Sequence, residues 1–192
     1  MEAQTEYLEA NSYSQLSHRD EEDAPRWTAP AEGFTKINWD TAICSKWGTV
    51  GMGAVIHDSA GRVLATRCQV TTGRFAPFAA EAWAGGQAFI FGKELGLTNI
   101  ILEGDSRIVV DAVNSAEGSG SLMGHLIEDM KIMLQDFPVW KALAVRRSAN
   151  NAAHEVARMA VRENIVRTWN CEVPDCIHAT ILGEISSPNI VK

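Results

Sequence analysis

The sequence predicts an α/β fold in which an antiparallel three-stranded meander leads into alternating helices and strands, five strands in all. Three observations predict it. Strand-like runs separated by turn residues fill the stretch after position 33, a long apolar helical pattern opens at Pro77, and the short apolar run from Asn99 runs straight into a second helical pattern.

The elements follow in order. Phe34 to Ala42, Val50 to His57 and Arg62 to Val70 read as strands, with Asp58-Ser59-Ala60-Gly61 as the turn between the last two. Pro77 suits the first position of a helix carrying Phe78, Ala82, Ala88, Phe89 and Leu95, which Gly96 ends. Gly85 and Gly86 cost about 1 kcal/mol each relative to alanine in a helix, which implies close packing against the sheet. Asn99 to Glu103 is a short strand. Ser106 to Asn114 and Leu122 to Asp136 follow as helices, the first through Ile108, Val109, Ala112 and Val113, the second through Leu126, Ile127, Met130 and Leu134. Trp140 to Arg147 alternates as a strand, and Asn150 to Asn164 forms the last helix, with Ala153, Val156, Ala157, Ala160 and Val161 inward.

With 192 residues and 46% hydrophobic content, the chain can bury one substantial core without disulfides. The four cysteines, Cys44, Cys68, Cys171 and Cys176, form no C-x-x-C pair and read as buried free thiols, as expected of an intracellular protein of cytoplasm or nucleus. No signal peptide pattern, basic localisation cluster or apolar run of roughly 20 residues is present, so no membrane partner is expected. The net charge of −7 is concentrated at the N-terminus, where residues 1–33 hold eight acidic residues against two arginines. That stretch lacks apolar periodicity and is predicted to be a disordered acidic extension; the domain is expected over 34–166, followed by a tail over 167–192. The remainder carries a net charge of only −1, which neither supports nor excludes a nucleic-acid partner.

Three carboxylates are hard to explain by packing. Asp40 closes Lys36-Ile37-Asn38-Trp39, Glu81 interrupts the alanine-rich start of the first helix, and Asp105 closes the strand that begins at Asn99. Hard divalent cations prefer oxygen ligands, so carboxylates gathered by a fold make a Mg2+ or Mn2+ site. Each acid also has an ordinary reading: a strand end for Asp40, a helix-dipole partner for Glu81, an N-cap for Asp105. The six tryptophans suggest base stacking, but Trp39 and Trp83 lie on elements expected to pack inward. His57 and His125 have no motif around them and read as structural.

The order of elements, with acids on the first strand, first helix and fourth strand, resembles the ribonuclease H fold. The segments Ile37-Asn38-Trp39-Asp40, Gly51 to Asp58, Ala80-Glu81-Ala82, Leu102 to Ser106 and Asn150 to His154 resemble the plant ribonuclease H-like family related to retrotransposon reverse transcriptases. The resemblance covers Lys36 to Asn164 and implies a mixed five-stranded sheet with flanking helices. It also implies that Asp40, Glu81 and Asp105 hold two divalent ions, Mg2+ or Mn2+, that activate water and stabilise the leaving oxygen as the RNA strand of an RNA–DNA hybrid is cleaved. Gly48, Gly51 and Gly53 are expected to let the hybrid's backbone approach closely. Arg146, Arg147 and Asn150 are expected beside the site as phosphate contacts.

At the fourth ligand position, where many active enzymes of this type have Asp, the chain has His154. A neutral imidazole binds a divalent ion or orients water without adding negative charge, which weakens Mg2+ binding and favours Mn2+. Two functions are therefore set against each other: a metal-dependent endoribonuclease, and a catalytically weak nucleic-acid- or protein-binding module on the same fold. Related proofreading exonucleases place Asp-x-Glu on the first strand, which Asp40-Thr41-Ala42 does not match.

Overall fold

The computed structural model describes residues 26–116 and 122–185. The expected acidic extension therefore lies outside the described residues as far as position 25. The elements in chain order are β1 (Thr35–Cys44), β2 (Thr49–His57), β3 (Val63–Thr72), α1 (Pro77–Glu94), β4 (Asn99–Gly104), α2 (Arg107–Asn114), α3 (Leu122–Leu134), β5 (Val139–Ala144), α4 (Asn151–Glu163), β6 (Arg167–Asn170) and α5 (His178–Ile185). Among the described residues no helix is long and apolar enough to cross a membrane.

The sheet has six strands in the order β5-β4-β1-β2-β3-β6, not the five expected. The sixth comes from the predicted tail. Arg167–Asn170 pairs antiparallel with β3 from Cys68 to Ala65, with Trp169 facing inward. β1, β2 and β3 form the antiparallel meander, while β4 pairs parallel with both β1 and β5.

Each face of the sheet is buried by a different set of elements, and the two-residue alternation of a strand decides which side chains go where. On one face, Ile37 and Trp39 of β1 with Met52, Ala54 and Ile56 of β2 pack against Phe89 and Phe91 of α1, Val109 and Val113 of α2, and Ile127, Met130 and Leu134 of α3. On the other, Val55 and Cys68 meet Val156, Met159 and Ala160 of α4, Trp169 of β6, and Ile177 and Ile181 around α5. Of the four free cysteines only Cys68 is buried, and Cys171 is exposed, which corrects the expectation of uniformly buried thiols.

Helix ends are set by local chemistry. α1 starts with a proline among its first residues and stops at Gly96, whose φ of +69° only glycine adopts freely; Gly96 N–H reaches Lys93 O and Leu97 N–H reaches Gly92 O, a Schellman pattern. α4 is seated by missing side chains. A Cβ on Gly53 would lie 2.3 Å from Ala153 O, and one on Gly51 would lie 2.5 Å from Ala157 O, so these two positions let the helix backbone rest directly on β2.

The chain before β1 is also part of the fold. Trp27, inside the stretch expected to be disordered, is buried, its ring tilted 4.5 Å from that of His57 and its Nε1 donating to Asn38 Oδ1 at 2.9 Å. Lys36 donates to Thr28 O at 2.6 Å and pairs with Glu103 at 2.7 Å. Asn38 Nδ2 donates to Glu103 Oε2 and to Asn150 Oδ1. A buried polar network thus ties the N-terminal segment, β1, β4 and the start of α4 together.

Candidate metal centre

The register of β1 and β4 explains why two distant acids meet. The parallel pairing ends at Asn38 opposite Glu103, and Asp40 and Asp105 each lie two residues further on, where neighbouring strands part. β1 then turns back into β2 on one side while β4 borders β5 on the other, so the acids flank a topological switch point at the carboxyl ends of parallel strands. Such crevices are where α/β sheets hold ligands.

Glu81 arrives from the helix layer. Gly85 sits one turn after Glu81 on the same face of α1, and a Cβ there would meet Met130 Cε at 2.7 Å and Trp39 Nε1 at 3.3 Å. A Cβ on Gly104 would meet the same tryptophan ring at 2.5 Å. Trp39 therefore fills the space between the end of β4 and α1, and the two glycines allow the close approach that brings Glu81 to Asp40. The sequence expectation of close packing at Gly85 and of an inward Trp39 describes this contact; Trp83 is partly buried, 6.1 Å from Phe75 between ring centres.

One carboxylate oxygen from each of Asp40, Glu81 and Asp105 lies within 4.8 Å of the others, the one such group among the described residues. Asp40 is fully buried. Its Oδ1 accepts the N–H of Thr41 at 2.8 Å, while its Oδ2 takes Arg147 Nη1 at 2.8 Å and lies 2.7 Å from His154 Nδ1. Arg147 Nε lies 2.8 Å from Asp105 Oδ2, and Arg147 Nη1 also touches His154 Nδ1. Glu81 Oε2 is buried with no hydrogen-bond partner among the described residues. Asp105 does not cap α2: Ser106 holds the N-cap position and makes no side-chain cap bond, so the Asp105 carboxylate is free to face the cluster.

The electrostatics favour positive charge at the cluster. Burial, then the neighbouring Asp105, pushes the Asp40 carboxyl up to about 6 in spite of Arg147, the Thr41 amide and His154. Burial, then Asp40 and Asp105, pushes Glu81 up to about 8, with Arg147 opposing. Three carboxylates, two of them pushed upward by burial and one with an orphaned oxygen, are a donor set suited to a hard divalent cation.

The other expected site residues divide. His154 stands in the first turn of α4, within reach of Asp40, because α4 rests on Gly51 and Gly53. Arg146, next to Arg147 in sequence, is exposed and lines a hollow with Arg26, Trp27, Thr28 and Glu103. β5 ends at Ala144 instead of Arg147, and the 3-10 turn Arg147–Ala149 carries the Arg147 guanidinium over the carboxylates.

Two expectations are corrected. Gly51 and Gly53 lie buried beneath α4, so their missing side chains admit a helix and not a sugar-phosphate backbone. Asn150 is buried, donates to Trp39 O at 2.8 Å and accepts from Asn38, so its amide joins α4 to β1 and does not meet phosphate. Lys36 and Glu103 carry no signal in the sequence that singles them out, although Lys36, Asn38 and Asp40 alternate as a buried polar face along β1.

Comparison with known proteins follows the same lines. The profile described as reverse transcriptase-like matches residues 38–160. No curated protein matches the sequence. Among solved structures the fold is similar to ribonuclease H1 from the halophilic archaeon Halobacterium salinarum, at 23% identity and a TM-score of 0.63 over 68% of this chain and 99% of that one. It is similar to the N-terminal RNase H domain of a Mycobacterium tuberculosis protein, at 21% identity and 0.60 over 69% and 99%. It is similar also to LC11-RNase H1, solved with an RNA/DNA hybrid, at 19% identity and 0.59 over 68% and 98%. A ribonuclease H-like sheet, acids converging where β1 and β4 part, and a profile that spans most of the domain together make this chain a member of the reverse transcriptase-like family.

Proposed function

We propose that the protein is a metal-dependent endoribonuclease that hydrolyses the RNA strand of RNA–DNA hybrids, with Mg2+ or Mn2+, two ions, held by Asp40, Glu81 and Asp105. One observation carries the reading: three carboxylate oxygens from β1, α1 and the end of β4 gather within 4.8 Å at a switch point of the sheet. The solved complex of LC11-RNase H1 with an RNA/DNA hybrid supports the substrate class by analogy of fold.

A divalent ion bound there would supply Lewis-acid polarisation of phosphate and lower the pKa of an attacking water. The chain's own residues do the rest. Asp40 and Glu81, both held above the ordinary carboxylate range by burial and by neighbouring carboxylates, ionise more readily when a cation joins them. His154 Nδ1 meets Asp40, which orients the ring so that it can hold or pass a proton at the site's rim. Arg147 and the exposed Arg146 offer cationic contacts to a phosphate backbone. The 2′-hydroxyl would distinguish RNA from DNA at the scissile strand.

A hybrid-cleavage assay with Mg2+ and with Mn2+ tests the proposal. Wild type should cleave the RNA strand, faster with Mn2+, and Asp40→Asn should lose activity by at least about a hundredfold, as removal of a transition-state contact does. Cleavage that needs no metal, or that survives in the variant, would reject it. His154, a neutral ligand where an acid is usual, is the observation that favours the second reading, a binding module; hybrid binding without turnover under both metals would establish that reading instead.

A further inference from the structure

The inference concerns Arg147 and rests on the metal-site reading just given. Every oxygen of Asp40 is committed. Oδ1 accepts the Thr41 amide, and Oδ2 is shared by Arg147 Nη1 and His154 Nδ1. Arg147 spans the gap, since its Nε reaches Asp105 Oδ2 while its Nη1 holds Asp40, so one guanidinium bridges two of the three acids. A divalent ion held between these acids draws on the carboxylates that Arg147 bridges, and at about 2.0–2.6 Å from their oxygens its double charge repels the guanidinium.

Of the three groups on Asp40, only Arg147 has somewhere to go. The Thr41 amide is part of β1, and His154 stands on a helix seated on Gly51 and Gly53. Arg147 belongs to a three-residue turn, and its side chain is 51% exposed. Glu81 has a buried oxygen with no partner among the described residues and needs no such release.

We propose that Arg147 is a resident cation that competes with the divalent ion for Asp40 and Asp105, so that metal uptake requires the arginine to swing out toward solvent. The exchange makes metal loading and arginine release one event. Arg147 is thus a positioning residue that keeps the acids together before the ion arrives and sets how readily it enters.

Mn2+ titration of the full chain, by calorimetry and by the electron paramagnetic resonance signal of free Mn2+, tests this. Arg147→Gln should bind the first Mn2+ about tenfold more tightly than wild type, whereas Arg146→Gln, which removes the same charge next door, should shift affinity by less than about threefold. Arg147→Lys, a point charge unable to bridge two carboxylates, should fall between. Equal affinity in wild type and Arg147→Gln, or an equal gain in both glutamine variants, overturns the competition. If that equal binding is also lost in Asp40→Asn, the metal site itself still stands. No Mn2+ binding by any of these proteins overturns both readings. A second measurement needs no variant that might misfold: in wild type the Arg147 Nε–Hε resonance should be slow to exchange with solvent and should lose that protection when Mg2+ is added. A signal indifferent to Mg2+ overturns the proposal.

Discussion

Glu81 is where burial and charge conflict most openly. Its carboxyl titrates near 8, raised first by burial and then by Asp40 and Asp105, and Asp40 titrates near 6. For both groups the folded value stands above the ordinary one, so without divalent ions the native state binds more protons than the unfolded chain between about 4 and 8. Stability must therefore fall as pH rises through that window, at up to about 1.4 kcal/mol per pH unit for each group still titrating. His57 acts in the opposite sense, since burial pushes it down to about 3, but its contribution is complete above its ordinary value near 6.5. In EDTA the wild type should thus melt at a lower temperature at pH 8 than at pH 6.5, and Glu81→Gln should reduce the difference to the part left by Glu184, which burial pushes up to about 7. Parallel melting profiles for the two proteins would show that Glu81 ionises normally. Metal binding runs the other way and should strengthen with pH over the same range, releasing protons that calorimetry in buffers of different ionisation enthalpy would count.

Elements are placed by small residues as much as by large ones. Gly53→Ala sets a methyl group 2.3 Å from a helix carbonyl that cannot move alone, and should cost about 1–3 kcal/mol in urea unfolding, as overpacking does. A variant with unchanged stability but weaker hybrid binding would restore the nucleic-acid role first expected of this glycine. From sequence, that misreading was hard to avoid, since an absent side chain looks the same whether a phosphate or a helix fills the space. The long patterns were legible: the meander, the helix after Pro77, the apolar run at Asn99 and the helix at Asn150 all stand where periodicity put them, within two or three residues. So was the convergence of Asp40, Glu81 and Asp105, because carboxylates at strand ends and inside an alanine helix lack a packing reason. β6 was not, since Arg167-Thr168-Trp169-Asn170 is too short to show alternation, and β5 was read too long because nothing in Val145-Arg146-Arg147 signals a 3-10 turn.

At the scale of the molecule, both ends of the described chain complete the fold. Trp27 was hidden in an acidic, polar stretch whose composition speaks for disorder, yet its indole is buried against His57 and bonded to Asn38. Trp27→Ala should cost about 3–5 kcal/mol in equilibrium unfolding, the range for truncating a buried aromatic; a loss below 1 kcal/mol would mean that the segment is an ornament. Removal of residues 166–192 would strip Trp169, Ile177 and Ile181 from α4 and leave β3 as an open edge, and the shortened chain should aggregate or lose its cooperative melt in circular dichroism.

The pairing of β1 with β4 has a further consequence, in time instead of space. The β1–β2 and β2–β3 hairpins join near neighbours in sequence and can close early, whereas Asn38 meets Glu103 only across a separation of 65 residues. Asp105 cannot reach Asp40 before that loop is closed. The acidic pocket is therefore completed late on the folding route, and a divalent ion that binds there should slow unfolding far more than it hastens folding.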